Sequence, residues 1–419
     1  MTPVDRFLLD HSLLTRRFFL LVGATGVTSL IGHSNSSRAD ELPVELKDSI
    51  EKLESLLTLP EKFGDVSRGS PLPHTLSDEK RIEVGLTRET WRLEVISDEN
   101  RPARIKKTMT KADGTALDFK GLMQLAETNS VKFAKVMTCL NMGCPLGMGI
   151  WEGVPLREII WRTQPIENLR RVFYYGYHND DPKQIFQSSL PVGRILEDPY
   201  DLPPVILCYK LNGQWLSPER GGPVRVVVPE AYGFKSIKWL SHLVLTNLAV
   251  ANDTYIDGNN DIDSPMKTFA ATLSVPRETD ANRPIPVTGY AQVGIAGLSK
   301  VQVWVSPKGA EPRGDPYFTT ANWIDAKILD APALGQWGGG LPDSAIPANV
   351  FGFDEGGRPK SWPMRFSKIH WAAILDGLPA GEYTLRSRTV DEKGNAQPMP
   401  RPFRKSGHAE IEHVHFIVQ

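Results

Sequence analysis

Apolar and polar positions change rhythm several times along the chain. TWRLEVI (90–96) and ARIKKTM (103–109) alternate as strands do, whereas DFKGLMQLAE (118–127) repeats at the helical period. VKFAKVMTCL (131–140) is apolar enough for a buried strand ending at Cys139, and glycine, methionine and proline then crowd the sequence, which predicts a loop. VPLREIIWRT predicts a helix with Pro155 in its first turn, where a missing N–H costs nothing. RRVFYYGY reads as a strand, SSLPVGRILED as a short helix, and PPVILCYKLNG as a strand closed by the hairpin pair Asn212-Gly213. Mixed elements without βαβ alternation place residues 79–255 in the α+β class. Turn-forming residues crowd ANDTYIDGNNDIDSP (251–265), and beyond it PIPVTGYAQV, SKVQVWVSP, KIHWAAIL and EYTLRSRTVD predict an all-β sandwich over 262–419.

Ahead of these, residues 40–78 read as an arm: a short helical pattern, ELKDSIEKLESLL, then the turn-rich SRGSPLPHTL. Residues 1–39 read as a targeting segment. Arg16-Arg17 precede the apolar run Phe18 to Ile31, and Ser37-Arg38-Ala39 offers a small-x-small cleavage site. The run is shorter than the roughly 20 residues a bilayer span needs, so no stable membrane span is expected. Paired arginines before phenylalanine suggest twin-arginine export of a folded protein to the periplasm, the route suited to a cofactor inserted before export.

The 48 Lys and Arg against 49 Asp and Glu leave no net field to draw the chain onto nucleic acid or anionic lipid. Three cysteines are no disulfide framework for a chain of this size, so at least one is unpaired. Cys139 closes an apolar run and opens a glycine-rich turn, where it suits a metal ligand, a nucleophile or plain packing; a Cys139–Cys144 disulfide would close a very small loop and stabilise little. A second constellation is ERGGPVRVVVPEAYGFKSIKWL (219–240). Arg220, Arg225, Lys235 and Lys238 flank glycine turns, with Arg194 upstream, and together suit a phosphate or another compact anion.

Taken in order, Cys139, GIWEGVPLREII, SSLPVGRILEDP and ILCYKLNGQWLSPERGGPVRVVVPEAYGFKSIKWL resemble the sulfite oxidase family of molybdenum enzymes over about 80–250. VTGYAQVGIAGLSKVQV and GEYTLRSRTVDEKGNAQP are similar to that family's Ig-like dimerisation domain. The resemblance implies molybdenum bound by the Cys139 thiolate and one molybdopterin. It implies pterin and phosphate contacts from Arg225, Ser236, Ile237 and Lys238, with Lys235 beside them, and further pocket residues at Arg220 and His178, whose identities differ from the family's commonest ones. Cys208 falls in a strand and reads as core. The implied reaction is oxygen-atom transfer at a molybdenum–oxo centre, sulfite oxidation to sulfate or that of a related sulfur substrate. Electrons would pass to an external carrier such as a c-type cytochrome, since the chain has no Cys-x-x-Cys-His motif, and the β domain would pair two subunits.

The segment CLNMGCPLGMGIW contains no Arg or Lys, whereas sulfite-oxidising relatives place arginine near the metal. A desolvated dianion without cations is costly, and Met142 and Met148 would suit a larger or less charged substrate. An S-oxide or N-oxide reductase on the same fold is therefore one rival. A secreted, non-enzymatic binding protein is the other. His413 and His415 share a strand face and read as surface histidines, the ten tryptophans as core, and GQWGGGLPD (335–343) as a loop without readable role.

Overall fold

In the computed structural model, the described residues are 43–263, 265–312, 314–399 and 403–419; the expected leader, 1–39, lies outside them. Two sheets carry the first part of the chain. The five-stranded sheet runs Leu117–Asp118, Arg92–Ser97, Leu240–Thr246, Arg171–Gly176, Gln187–Pro191, parallel only between Arg92–Ser97 and Leu240–Thr246. The six-stranded sheet runs Val350–Phe351, Val131–Thr138, Pro145–Pro155, Ile206–Leu211, Gln214–Trp215, and Arg225–Val227 also pairs with Ile206–Leu211. Helix Phe119–Asn129 starts where Asp118 accepts the Gly121 N–H at 2.7 Å, an N-cap. It packs with Leu156–Arg162 and Val192–Leu196 onto one core, in which Leu93, Leu122, Ile159, Leu207, Val226 and Leu243 are sealed from solvent. Deleting one such side chain to alanine typically costs about 2–5 kcal/mol.

The predicted elements return with instructive differences. ARIKKTM forms no strand, only isolated bridges at Ile105 and Met109. The glycine-rich stretch after Cys139 is a loop only to Cys144; from Pro145 the chain returns as an eleven-residue strand antiparallel to Val131–Thr138. Its glycines obscured the strand signal, yet Gly149 and Gly153 are the places where Leu211 and the Leu207 carbonyl approach too closely for a Cβ, at 2.5 and 2.4 Å. Asn212 and Gly213 form the expected turn with φ of 50° and 77°. The Asn212 amide adds a role not visible in sequence, accepting from Ile150 N and donating to Thr58 O and Gly339 O.

Beyond 262 an eight-stranded sheet runs Phe269–Ser274, Ile285–Gln292, Lys368–Leu375, Ile324–Ile328, Lys300–Pro307, Gly381–Val390, Glu412–Val418, Glu278–Thr279. Strands from both halves of this order bury Val287, Val303, Trp371, Leu385 and Phe416 in one core. The turn-rich stretch near 255 does not separate two independent units. Val350–Phe351 joins the six-stranded sheet beside Lys132 and Phe133, and Trp337, Phe353 and Phe366 share a core with Leu57, Val136 and Ile150. The loop GQWGGGLPD thus has a role: Trp337 is fully buried, its carbonyl accepts from Leu57 N, and Gly338 and Gly339, at φ 74° and 70°, leave no space for a Cβ against Ser55 and Leu57. It clasps the arm onto the sheets.

Candidate active site

Cys139, the residue after Val131–Thr138, lines a cavity together with Met137, Leu140 and Asn141; Leu146 and Trp151 come from the returning strand. One wall is cationic. Arg225 is 4% exposed, donates from Nη1 to Arg220 O (2.9 Å) and from Nη2 to Ser236 O (2.5 Å), and lies 5.3 Å over the Trp151 ring, while its Nε has no partner. Burial pushes its pKa down to about 10, and the neighbouring Arg220 pushes the same way. Arg220 donates to Gly64 O at 3.1 Å and meets the Glu219 carboxylate at 2.6 Å; its Nε is likewise buried and unpartnered. Lys238 Nζ reaches Asp65 Oδ1, Ser67 Oγ and Glu219 O, each at 2.7 Å. Gly221, at φ 92°, has no room for a Cβ because the Lys238 side chain and backbone come within 3.0 Å.

Burial, reinforced by Arg225 and Arg220, lowers the Lys238 pKa to about 8 despite the Asp65 carboxylate beside it. Burial opposes ionisation of Asp65 too, but hydrogen bonds from Lys238 and Ser67 hold its pKa at about 2. Three cations crowded against too few anions are relieved by an incoming phosphate. The sign follows: above about 8 the free protein holds Lys238 as the neutral amine, so an anion bound there must recruit a proton, and binding weakens as pH rises through about 8. We expect binding of inorganic phosphate to the free protein, followed by calorimetry, to weaken through that pH and the dependence to flatten in Lys238→Met. An unchanged profile in the variant would assign the titration to another group.

Of the residues expected from sequence, the cavity brings together Cys139, Arg220, Arg225, Ser236 and Lys238. It does not bring in the others. Lys235 is turned away and buried against Asp253, Nζ to Oδ1 at 2.7 Å. Ile237 belongs to the core, its carbonyl accepting from Val226 N. His178 is off the wall, which its neighbour Tyr177 lines instead. Arg194 is claimed by Glu230 at 2.6 Å and Asp198 at 3.2 Å, and Met148 is fully buried. Cys208 is core, as its strand position implied, its thiol pushed up to about 12 by burial; Cys144 is exposed, and none of the three cysteines is bonded to another.

Sequence reasoning missed the far side of the cavity. Phe63, Gly64, Ser67 and Arg68 come from the arm, Phe186 from the loop before Gln187–Pro191, Tyr255 and Asn260 from the boundary stretch, and Lys405 from near the C-terminus. Arg68 lies 5.7 Å from the Phe186 ring centre and 5.5 Å from that of Tyr255, and donates to Tyr255 Oη at 3.2 Å. No local motif marks these residues, since each acts only through the tertiary fold.

Among the described residues no group of three or more His, Cys, Asp or Glu could hold a metal, so the described side chains offer a metal at Cys139 no completing ligand set. A single thiol and buried, unpartnered guanidinium N–H groups in one cavity fit a metal carried on an anionic organic cofactor: Cys139 would hold the metal, and Arg225, Arg220 and Lys238 the anion. Residues 81–253 match the family described as "Oxidoreductase molybdopterin binding domain". The chain is 24% identical to a nitrate reductase [NAD(P)H] of Betula pendula over 74% of this chain and 34% of the relative. It is 26% identical to mitochondrial sulfite oxidase of Drosophila melanogaster over 51% of this chain and 35% of the relative. It therefore spans about a third of the length of these curated relatives. Among solved structures it is similar in fold to the sulfane dehydrogenase SoxCD of Paracoccus pantotrophus, with TM-score 0.54 and 16% identity over 93% of this chain and 96% of that one.

Proposed function

We propose that this chain, which belongs to the sulfite oxidase family of molybdopterin-dependent oxidoreductases, oxidises a small anionic sulfur compound, sulfite or a close relative. The observation that carries this reading is the pairing, in one cavity, of Cys139 with Arg68 and Lys405, cations from distant segments. They answer the lack of charge in the Cys139 loop, which favoured a larger or less charged S-oxide or N-oxide substrate. The bound molybdenum cofactor supplies two-electron oxidation and oxygen-atom transfer. The balance is sulfite plus water giving sulfate, two protons and two electrons. The electrons pass to an external carrier, for which a c-type cytochrome is suited. The protein's own part is to desolvate and orient the anion through charge-assisted hydrogen bonds.

The same reading carries a periplasmic location reached by twin-arginine export, which rests on Arg16-Arg17, and an Ig-like C-terminal half that pairs subunits, which rests on the strand pattern. The substrate is tested by steady-state turnover of sulfite with an artificial acceptor beside methionine sulfoxide with a reduced dye. Sulfite turnover is expected, with KM raised about tenfold in Arg68→Met by loss of one charge-assisted contact. Turnover of methionine sulfoxide alone would replace this reading with an S-oxide reductase.

A further inference from the structure

Lys135 lies in the middle of the strand Val131–Thr138 and is 0% exposed. Lysine is almost never buried so fully without a carboxylate, yet no carboxylate contacts its ammonium among the described residues. Nζ instead donates to Pro229 O at 2.8 Å and Ala231 O at 2.6 Å, with Met266 Sδ at 3.3 Å. The nearest acid in sequence to those carbonyls, Glu230, has both carboxylate oxygens taken by Arg194, at 2.6 and 3.0 Å. The two carbonyls belong to the segment that leads from the strand Arg225–Val227 into Gly233, Phe234 and Ser236, three residues of the cavity wall. Four residues after Lys135 the same strand delivers Cys139.

We propose that Lys135 is a positioning residue that ties the strand carrying Cys139 to the turn forming the cofactor wall, and so sets the distance between metal ligand and pterin site. For its consequence at the cofactor this rests on the reading above; the tie itself does not. Burial lowers the Lys135 pKa to about 7, with Arg225 adding to the effect and Glu230 opposing it. Loss of the proton does not release the turn, because a neutral amine keeps two N–H groups for two carbonyls. Only removal of the donor does. The tie is therefore chemical, and a side chain of similar length without a donor isolates it.

The test is hydrogen exchange on the full chain, comparing wild type, Lys135→Met and Met266→Leu, alongside molybdenum retained after dialysis of the loaded protein. Amides of 228–236, which are held by bonds such as Val228 N to Ser236 Oγ and Ser236 N to Gly233 O, are expected to exchange about tenfold faster in Lys135→Met. Those of Ile206–Leu211 should stay at the wild-type rate, molybdenum retention should fall about tenfold, and Met266→Leu should match wild type. Lys135→Gln, which keeps an N–H2 group, should lie between, and it serves in place of the methionine variant if that does not fold. Wild-type exchange in 228–236, or acceleration spread equally over Ile206–Leu211, would overturn the tie. Faster exchange with unchanged metal retention would overturn its link to the cofactor. A wild-type protein that never loads molybdenum, but whose turn loosens in Lys135→Met, would sink the family reading and leave the tie standing.

Discussion

Cys139→Ser is expected to lower sulfite turnover more than about 100-fold, because substitution of groups one shell out from a metal already costs about 10–100-fold and this residue is the metal's protein ligand in our account. The change removes a soft sulfur donor and leaves a hard hydroxyl of nearly the same shape. Cys139 is half-buried at the cavity edge and belongs to none of the hydrophobic core clusters, so the stability of the metal-free protein should change by no more than about 0.5 kcal/mol. Steady-state rates and a thermal melt check both halves. Cys208→Ser makes the useful contrast. That thiol is sealed in the core against Trp151 and Val227, so a hydroxyl there should reduce stability while leaving the turnover of the folded protein intact.

Asp253→Ala is expected to destabilise the fold by about 3–5 kcal/mol, the usual result of removing one partner of a buried ion pair. Asp253 and Lys235 side chains are only 2% and 3% exposed. The carboxylate also accepts from Ser188 Oγ and, at 3.0 Å, from Ser189 Oγ, while Arg171 donates to Ser189 Oγ from the neighbouring strand. Alanine leaves the Lys235 ammonium without a counter-charge in the core. Chemical denaturation measures the loss. If Lys235 instead contacted the cofactor, the variant's deficit would be reversed by loading the pterin, which our placement of Lys235 behind the wall does not predict. The same turn is thus held from behind by two buried lysines, Lys235 through Asp253 and Lys135 through the carbonyls of 229 and 231.

These cases show what the sequence reveals and what it conceals. Local chemistry was legible: the Asn212-Gly213 turn, the helix after Asp118, the long strands beyond 262 and the cysteine closing an apolar run all carry their signal within a few residues. The order of motifs made the cofactor domain recognisable, and Arg225, Ser236 and Lys238 line the cavity. Side-chain direction was not legible. In a turn such as YGFKSIK the lysines at 235 and 238 look equivalent, and only packing sends one to Asp253 and the other to Asp65. Nor could the arm be read as part of the site, because Asp65 and Arg68 meet Lys238 and Tyr255 across more than 150 positions of chain. Gly143, Gly147 and Gly149 read as loop, while in the structure the last two lie in the strand Pro145–Pro155, where Gly149 admits a neighbouring strand.

The most direct test of the account is X-ray absorption at the molybdenum edge on protein purified from a molybdenum-replete host, wild type beside Cys139→Ser. We predict stoichiometric molybdenum with a sulfur shell made up of the pterin dithiolene and one further thiolate in the wild type, and loss of that single thiolate in the variant. Wild-type protein without molybdenum, or a sulfur shell identical in the two proteins, would contradict the assignment of Cys139 as the metal's ligand.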